Sequence, residues 1–159
     1  MNSKWSLIFK AGIVAGIMDG LGASVMYYIR TGNGPEGVFR YVASGALGDV
    51  ALTGSARIAL VGVLFHLMIA FTWAVIYVSF YPQIRKVVSN WIVSGILYAV
   101  FVWAIMNLVV IPLSRTPDTP VTFMGAVRGA FVLVCCIGLP IAGITYYHDR
   151  KAHEKSARP

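Results

Sequence analysis

Four stretches of this chain, residues 7–29, 58–81, 91–113 and 123–147, are apolar over nearly their whole length. A helix needs about 20 such residues to cross the hydrocarbon core of a bilayer. The runs are continuous and show no alternation of polar and apolar residues, so they predict helices rather than barrel strands. The expected fold class is therefore all-α: a polytopic membrane protein, a four-transmembrane-helix bundle forming one membrane domain over residues 1–159. Composition agrees, with 58% hydrophobic and 12% charged residues, against about 25% charged in soluble domains. Lys4 before the first run could mark a signal peptide. A carboxylate inside the run and the lack of a small-residue cleavage site instead predict an uncleaved span.

The net charge of +7 does not form one solvated patch of the kind that binds nucleic acid. The basic residues punctuate the spans. Lys4, Lys10, Arg85, Lys86, Arg150, Lys151, Lys155 and Arg158 fall on one side of a four-span topology. Arg30, Arg40, Arg57, Arg115 and Arg128 fall on the other, beside Glu36, Asp49 and Asp118. Positively charged loops stay cytoplasmic, which places both termini and the tail at 148–159 in the cytoplasm of a bacterial inner membrane. Aromatic residues collect at that same end: Trp5, Tyr77, Phe80, Tyr81, Trp91, Tyr146 and Tyr147. They are read as interfacial anchors.

The connections differ in length. "YPQIRKVVSN" is short, carries Arg85 and Lys86 between Pro82 and Asn90, and makes the second and third spans an antiparallel hairpin. The first outer connection is long. Within it residues 35–48 predict a short amphipathic helix, with Pro35 opening it and Val38, Phe39, Val42 and Ala46 on its apolar face. Glu36, Arg40 and Ser44 fall elsewhere on that wheel. The helix is expected to lie on the outer interface or to plug the mouth of the bundle, or to serve simply as a connector.

Within the first span, "AGIVAGIMDGLGAS" sets Gly12, Gly16, Gly20 and Ser24 four residues apart. Such a row lets two backbones approach closely, the main source of helix association in lipid. Its partner is either another span or a second subunit. Asp19 lies about 60° from Gly16 on the helical wheel, at the margin of the small-residue face. An ionisable group within a span is costly and faces protein rather than lipid. Counting about 1.5 Å per residue, Asp19 sits roughly 17 Å and His66 about 18 Å from the inner boundary. The two are therefore level near the midplane. Together with the Tyr98 hydroxyl they make a candidate intramembrane polar site, which serves either to pin helix register or to hold a proton or ion.

Other polar groups are weaker candidates. Asn107 and Arg128 form a possible outer layer with Asp49 or Asp118, unless Arg128 snorkels outward. Pro140 has no N–H for the Cys136 carbonyl and predicts a kink eased by Gly138. Cys135 and Cys136 are adjacent, point about 100° apart on a helix, and read as small apolar lining. No metal-ligand spacing, cofactor motif or nucleophile–base set occurs, and His148 and His153 lie in a basic tail. A non-enzyme without cofactor is expected.

From His66 onward the chain resembles the YagU-like bacterial inner-membrane proteins. The similarity rests on "HLMIAFTWAVIY" with His66 early and Tyr77 late, on "YPQI" directly after it, on Gly95, and on "IPLSRTP". It departs in the last span, where that family carries further polar residues including a histidine and this chain reads "RGAFVLVCCIGLPIAG". The resemblance implies a small polytopic inner-membrane protein and draws attention to His66, but it implies no substrate. The expected function is an oligomeric channel or carrier for protons, ions or small solutes with an Asp19–His66 site. The alternative is an accessory protein docking a membrane partner through the glycine row.

Overall fold

The computed structural model describes residues 3–117 and 122–156. Asp118 and Arg158 lie outside them. The described residues are helical throughout their ordered elements and contain no strand. Helix α1 spans Ser3–Thr31, α2 spans Glu36–Leu47, a short 3-10 turn covers Asp49–Ala51, and α3 spans Ala56–Val87. Next come α4 (Trp91–Ile105), a π turn at Met106–Val110 and α5 (Ile111–Leu113). Then α6 (Phe123–Leu133), a second π turn at Val134–Gly138 and α7 (Leu139–Ser156) complete the chain. Four helical stretches are long and apolar enough to cross a membrane: Lys4–Thr31, Ala56–Val87, Trp91–Leu113 and Phe123–Glu154.

Glycines set how closely these helices approach. A Cβ on Gly12 would meet Phe71, and one on Gly16 would meet Leu67 and Ala70. One on Gly20 would lie 3.3 Å from the His66 ring. The glycine row of α1 is thus covered by α3 of the same chain. A second close approach joins α4 to the π turn before α7, where Gly95 and Gly138 face each other backbone to backbone. A third brings Gly62 of α3 against the Phe39 carbonyl of α2. Between these crossings lies a core of Ala11, Ala15, Ala70, Trp73, Ala74, Tyr77, Tyr98, Val102, Ile137 and Ile141.

Several expectations change. The run "YPQIRKVVSN" is not a loop from Pro82, because α3 continues through Pro82 to Val87. Proline forfeits one helical bond at the carbonyl four residues back and does not by itself end a helix terminus that has already formed. The actual break is at Asn90, whose side chain accepts from the Ile92 and Val93 amides and caps α4. Tyr77 (0% exposed) and Tyr81 (9%) are core residues rather than interfacial anchors. They follow Trp73 and Ala70 along the buried face of α3. Trp5, Phe80 and Tyr147 do stand exposed, and Trp91 stacks on Tyr146 at 6.4 Å.

Helix α2 turns Phe39 and Val42 of its expected face towards the protein but not Ala46. Ala43 and Ser44 are its buried residues, while Ala46 is exposed. Ser44 donates its hydroxyl to the Tyr41 carbonyl at 2.7 Å, which removes the cost of burying it. Small side chains at 43–45 let α2 pack down onto the protein, where large apolar ones would have held it away.

Before Pro140, where a kink is expected, the chain forms the π turn Val134–Gly138. There the Leu139 amide bonds to the Val134 carbonyl, five residues back. The same arrangement precedes Pro112, where the Ile111 amide reaches Met106. In both places the wider turn accommodates a carbonyl ladder that proline interrupts.

Candidate functional site

Asp19 of α1 and His66 of α3 are brought together by the glycine row. Gly16 and Gly20 bring α1 so close to α3 that His66 Nε2 lies 3.0 Å from the Gly16 carbonyl oxygen. A carbonyl only accepts, so Nε2 carries a hydrogen and donates it there. Asp19 Oδ2 is 3.8 Å from the same nitrogen. The carboxylate is thus an electrostatic neighbour beyond hydrogen-bond reach. Phe39 of α2 meets the imidazole edge to face at 5.9 Å. Both polar side chains are mostly enclosed, with 12% of His66 and 16% of Asp19 exposed.

They open onto a cavity of about 170 Å³, far more than the roughly 10–15 Å³ that one water requires. Its walls between the helices are apolar, with Ile69, Ala70, Val102, Met106, Leu133 and Ile137. Towards the end away from the termini it is bounded by Tyr41, Val42 and Gly45 of α2 and by Ser114 and Thr116 after α5. The Arg115 amide donates to the Gly45 carbonyl at 3.0 Å and ties α2 to that turn. The Ser114 and Thr116 hydroxyls lie 2.7 Å apart. Two sets of polar groups, Asp19 with His66 and Ser114 with Thr116, therefore face an otherwise apolar chamber.

Towards the termini the chamber meets aromatic residues. Trp73 lines it, and the Trp73 carbonyl accepts from the Tyr98 hydroxyl at 2.6 Å. Tyr98 packs on Tyr77 with centroids 4.8 Å apart, and the Tyr77 and Ser94 hydroxyls bond at 2.7 Å. Tyr98 accordingly does not join Asp19 and His66. Its hydroxyl is used between α4 and α3, below the chamber. This aromatic layer packs below Trp73 on the side of the chamber nearer the termini.

The outer pair is not brought together. The Asn107 side chain donates back to the Trp103 carbonyl at 2.9 Å, a local bond from the first π turn to α4. Arg128 is exposed and makes no ion pair among the described residues. Ser24 likewise bonds locally, to the Gly20 carbonyl at 2.6 Å. Cys136 lies against Gly22, and both cysteines are free thiols. At the termini, Arg85 is ion-paired with Asp149, joining the ends of α3 and α7. His153 lies 3.7 Å from the same carboxylate.

Several chamber residues escape a sequence reading. Phe39, Tyr41, Ser114 and Thr116 carry no chemical motif. Phe39 and Tyr41 reach the site because α2 folds back over α3, where the Phe39 carbonyl rests on Gly62, while Ser114 and Thr116 come from the turn after α5. Comparison with protein-family models, with curated proteins and with solved structures finds no match for this chain.

Proposed function

We propose that this chain is a multi-pass helix-bundle protein of the bacterial inner membrane, with both termini cytoplasmic, that carries protons or a small cation. The chamber at Asp19 and His66 would be its binding site. One observation carries the reading: a carboxylate with no hydrogen-bond partner among the described residues opens onto a chamber beside an imidazole. In apolar surroundings an ionised carboxylate needs a proton or a cation. Asp19 supplies that demand, and His66, donating through Nε2, keeps Nδ1 as the nitrogen able to take a proton. A chamber of about 170 Å³ between apolar walls fits a carrier's binding site better than a continuous open pore. Four spans enclose little volume, so a homo-oligomer or a membrane-protein partner belongs to the same reading. The likeness to YagU-like proteins points to the same membrane placement.

A structural reading is favoured by one observation, the His66–Gly16 bond, which would fix the register of α1 on α3. Docking of a partner through the glycine row has less support, because α3 already occupies Gly12, Gly16 and Gly20. Flux in proteoliposomes separates the two. Wild type is expected to move protons or monovalent cations, with Asp19→Asn reducing the rate at least tenfold and His66→Ala reducing it comparably. Wild type without flux, or both variants conducting like wild type, removes the carrier reading. Loss of the folded species in Asp19→Asn or His66→Ala supports the register role instead.

A further inference from the structure

A second cavity, of about 570 Å³, lies near the end of the molecule that bears both termini, apart from the Asp19–His66 chamber. It is a groove between the first turns of α1 and the length of α7, with Trp91 at its side. Its chemistry changes along its length. Its lining joins apolar Leu7, Leu139, Pro140 and Ile144 to exposed Lys10 and Lys151, with Ser6, His148, Trp91 and Tyr147 alongside.

The charge balance around the groove is one-sided. Among the described residues the nearby carboxylates are already engaged: Asp149 with Arg85 and His153, and Glu154 with Arg150 at 3.0 Å. Lys10 and Lys151 have no acidic partner among the described residues. Two exposed ammonium groups therefore overhang an apolar channel without a counter-charge. Water alone would not favour the furrow, and a soluble anion would leave it empty. A molecule joining an anionic head to a hydrocarbon tail satisfies both parts.

We propose that this groove is a binding site for an anionic phospholipid, its phosphate held by Lys10 and Lys151 and one acyl chain lying along Leu7, Leu139 and Ile144. Basic pockets between membrane helices recognise acidic headgroups in this way. Trp91 and Tyr147 are amphipathic rings suited to the level where the ester region would lie. The occupant is a lipid rather than a peptide because the groove sets aliphatic wall beside two lysines and carries no carboxylate in its lining. The inference rests on the membrane placement proposed above and is independent of the Asp19–His66 site.

The test uses the full chain in nonionic detergent, titrated with dioleoyl phosphatidylglycerol or dioleoyl phosphatidylcholine. Bound lipid is counted by native mass spectrometry. Wild type is expected to retain one phosphatidylglycerol at roughly tenfold lower lipid concentration than phosphatidylcholine, the effect of two lysines near a lipid phosphate. Lys10→Gln combined with Lys151→Gln should abolish that preference. Arg57→Gln combined with Lys86→Gln, outside the groove, should keep it. Asp19→Asn should also keep it, even if flux is lost. All these substitutions except Asp19→Asn fall on surface charges, and size-exclusion elution verifies folding. The proposal is overturned if wild type binds the two lipids equally, or if the Arg57/Lys86 variant loses the preference as fully as the Lys10/Lys151 variant. It is also overturned if glycerol 3-phosphate displaces phosphatidylglycerol at equal concentration, since that would mark a site for a free anion.

Discussion

Glycines that look alike in the sequence do different work. Gly12, Gly16 and Gly20 announce themselves by spacing, yet a Cβ on Gly16 would chiefly press on Leu67 Cδ2, the movable end of a side chain. Gly62 stands in no such row, and a Cβ there would overlap the Phe39 backbone carbonyl. Backbone cannot step aside as a leucine methyl can. Gly62→Ala should therefore cost more than Gly16→Ala, on the order of 3 kcal/mol against about 1 kcal/mol, the range for overpacking a close contact. Thermal unfolding in detergent ranks the two, and a reversed order would mean that α2 does not rest on Gly62. Asp19 and His66 were legible as a level pair from rise per residue alone. The Gly16 carbonyl that takes the imidazole hydrogen was not, because a backbone acceptor leaves no mark in the sequence. Tyr98 differs for a related reason: its hydroxyl is a candidate partner for the pair by residue type, while its place on α4 gives it the Trp73 carbonyl instead.

Helix positions were readable from apolar length, and α2 from its proline and its amphipathic pattern. The two π turns were not, since each needs only one residue more than a regular helix and leaves hydropathy unchanged. Their place directly before Pro112 and Pro140 gives them a physical role that can be tested. A π turn accommodates an extra residue, so deleting Cys135 should restore a regular helix without rotating α7. The Pro140 ring would then clash with a carbonyl four residues back, at a cost of about 3 kcal/mol. Replacing Pro140 by Ala removes that clash. The deletion alone should thus lower the unfolding midpoint, and Pro140→Ala should recover most of the loss in the deleted background. In the undeleted chain Pro140→Ala should change little. Equal effects of Pro140→Ala in both backgrounds would show that the wide turn and the proline are unrelated.

At the scale of the whole molecule, charge and packing bear on the membrane orientation proposed above. Arg85 and Asp149 join α3 to α7 at the end that carries both termini. Lys10 and Lys151 line one groove there. The opposite end carries α2 and the turn tied to it through Arg115 and Gly45. Orientation in a bilayer follows the count of lysine and arginine in short flanking segments, with acidic residues contributing little. The termini end holds the larger share, so the ion pairs of Asp149 and Glu154 should not offset it. Alkaline phosphatase fused after Pro159 is therefore expected to be inactive, and a green fluorescent protein fused at the same point to be bright. Alkaline phosphatase inserted within the 30–57 connection should be active. The margin is modest, and it depends on Lys4, Lys10, Arg85 and Lys86. Replacing those four by Gln should produce a mixed population in which some chains expose the C-terminal phosphatase. Activity at the C-terminus of the unaltered chain would reverse the proposed orientation.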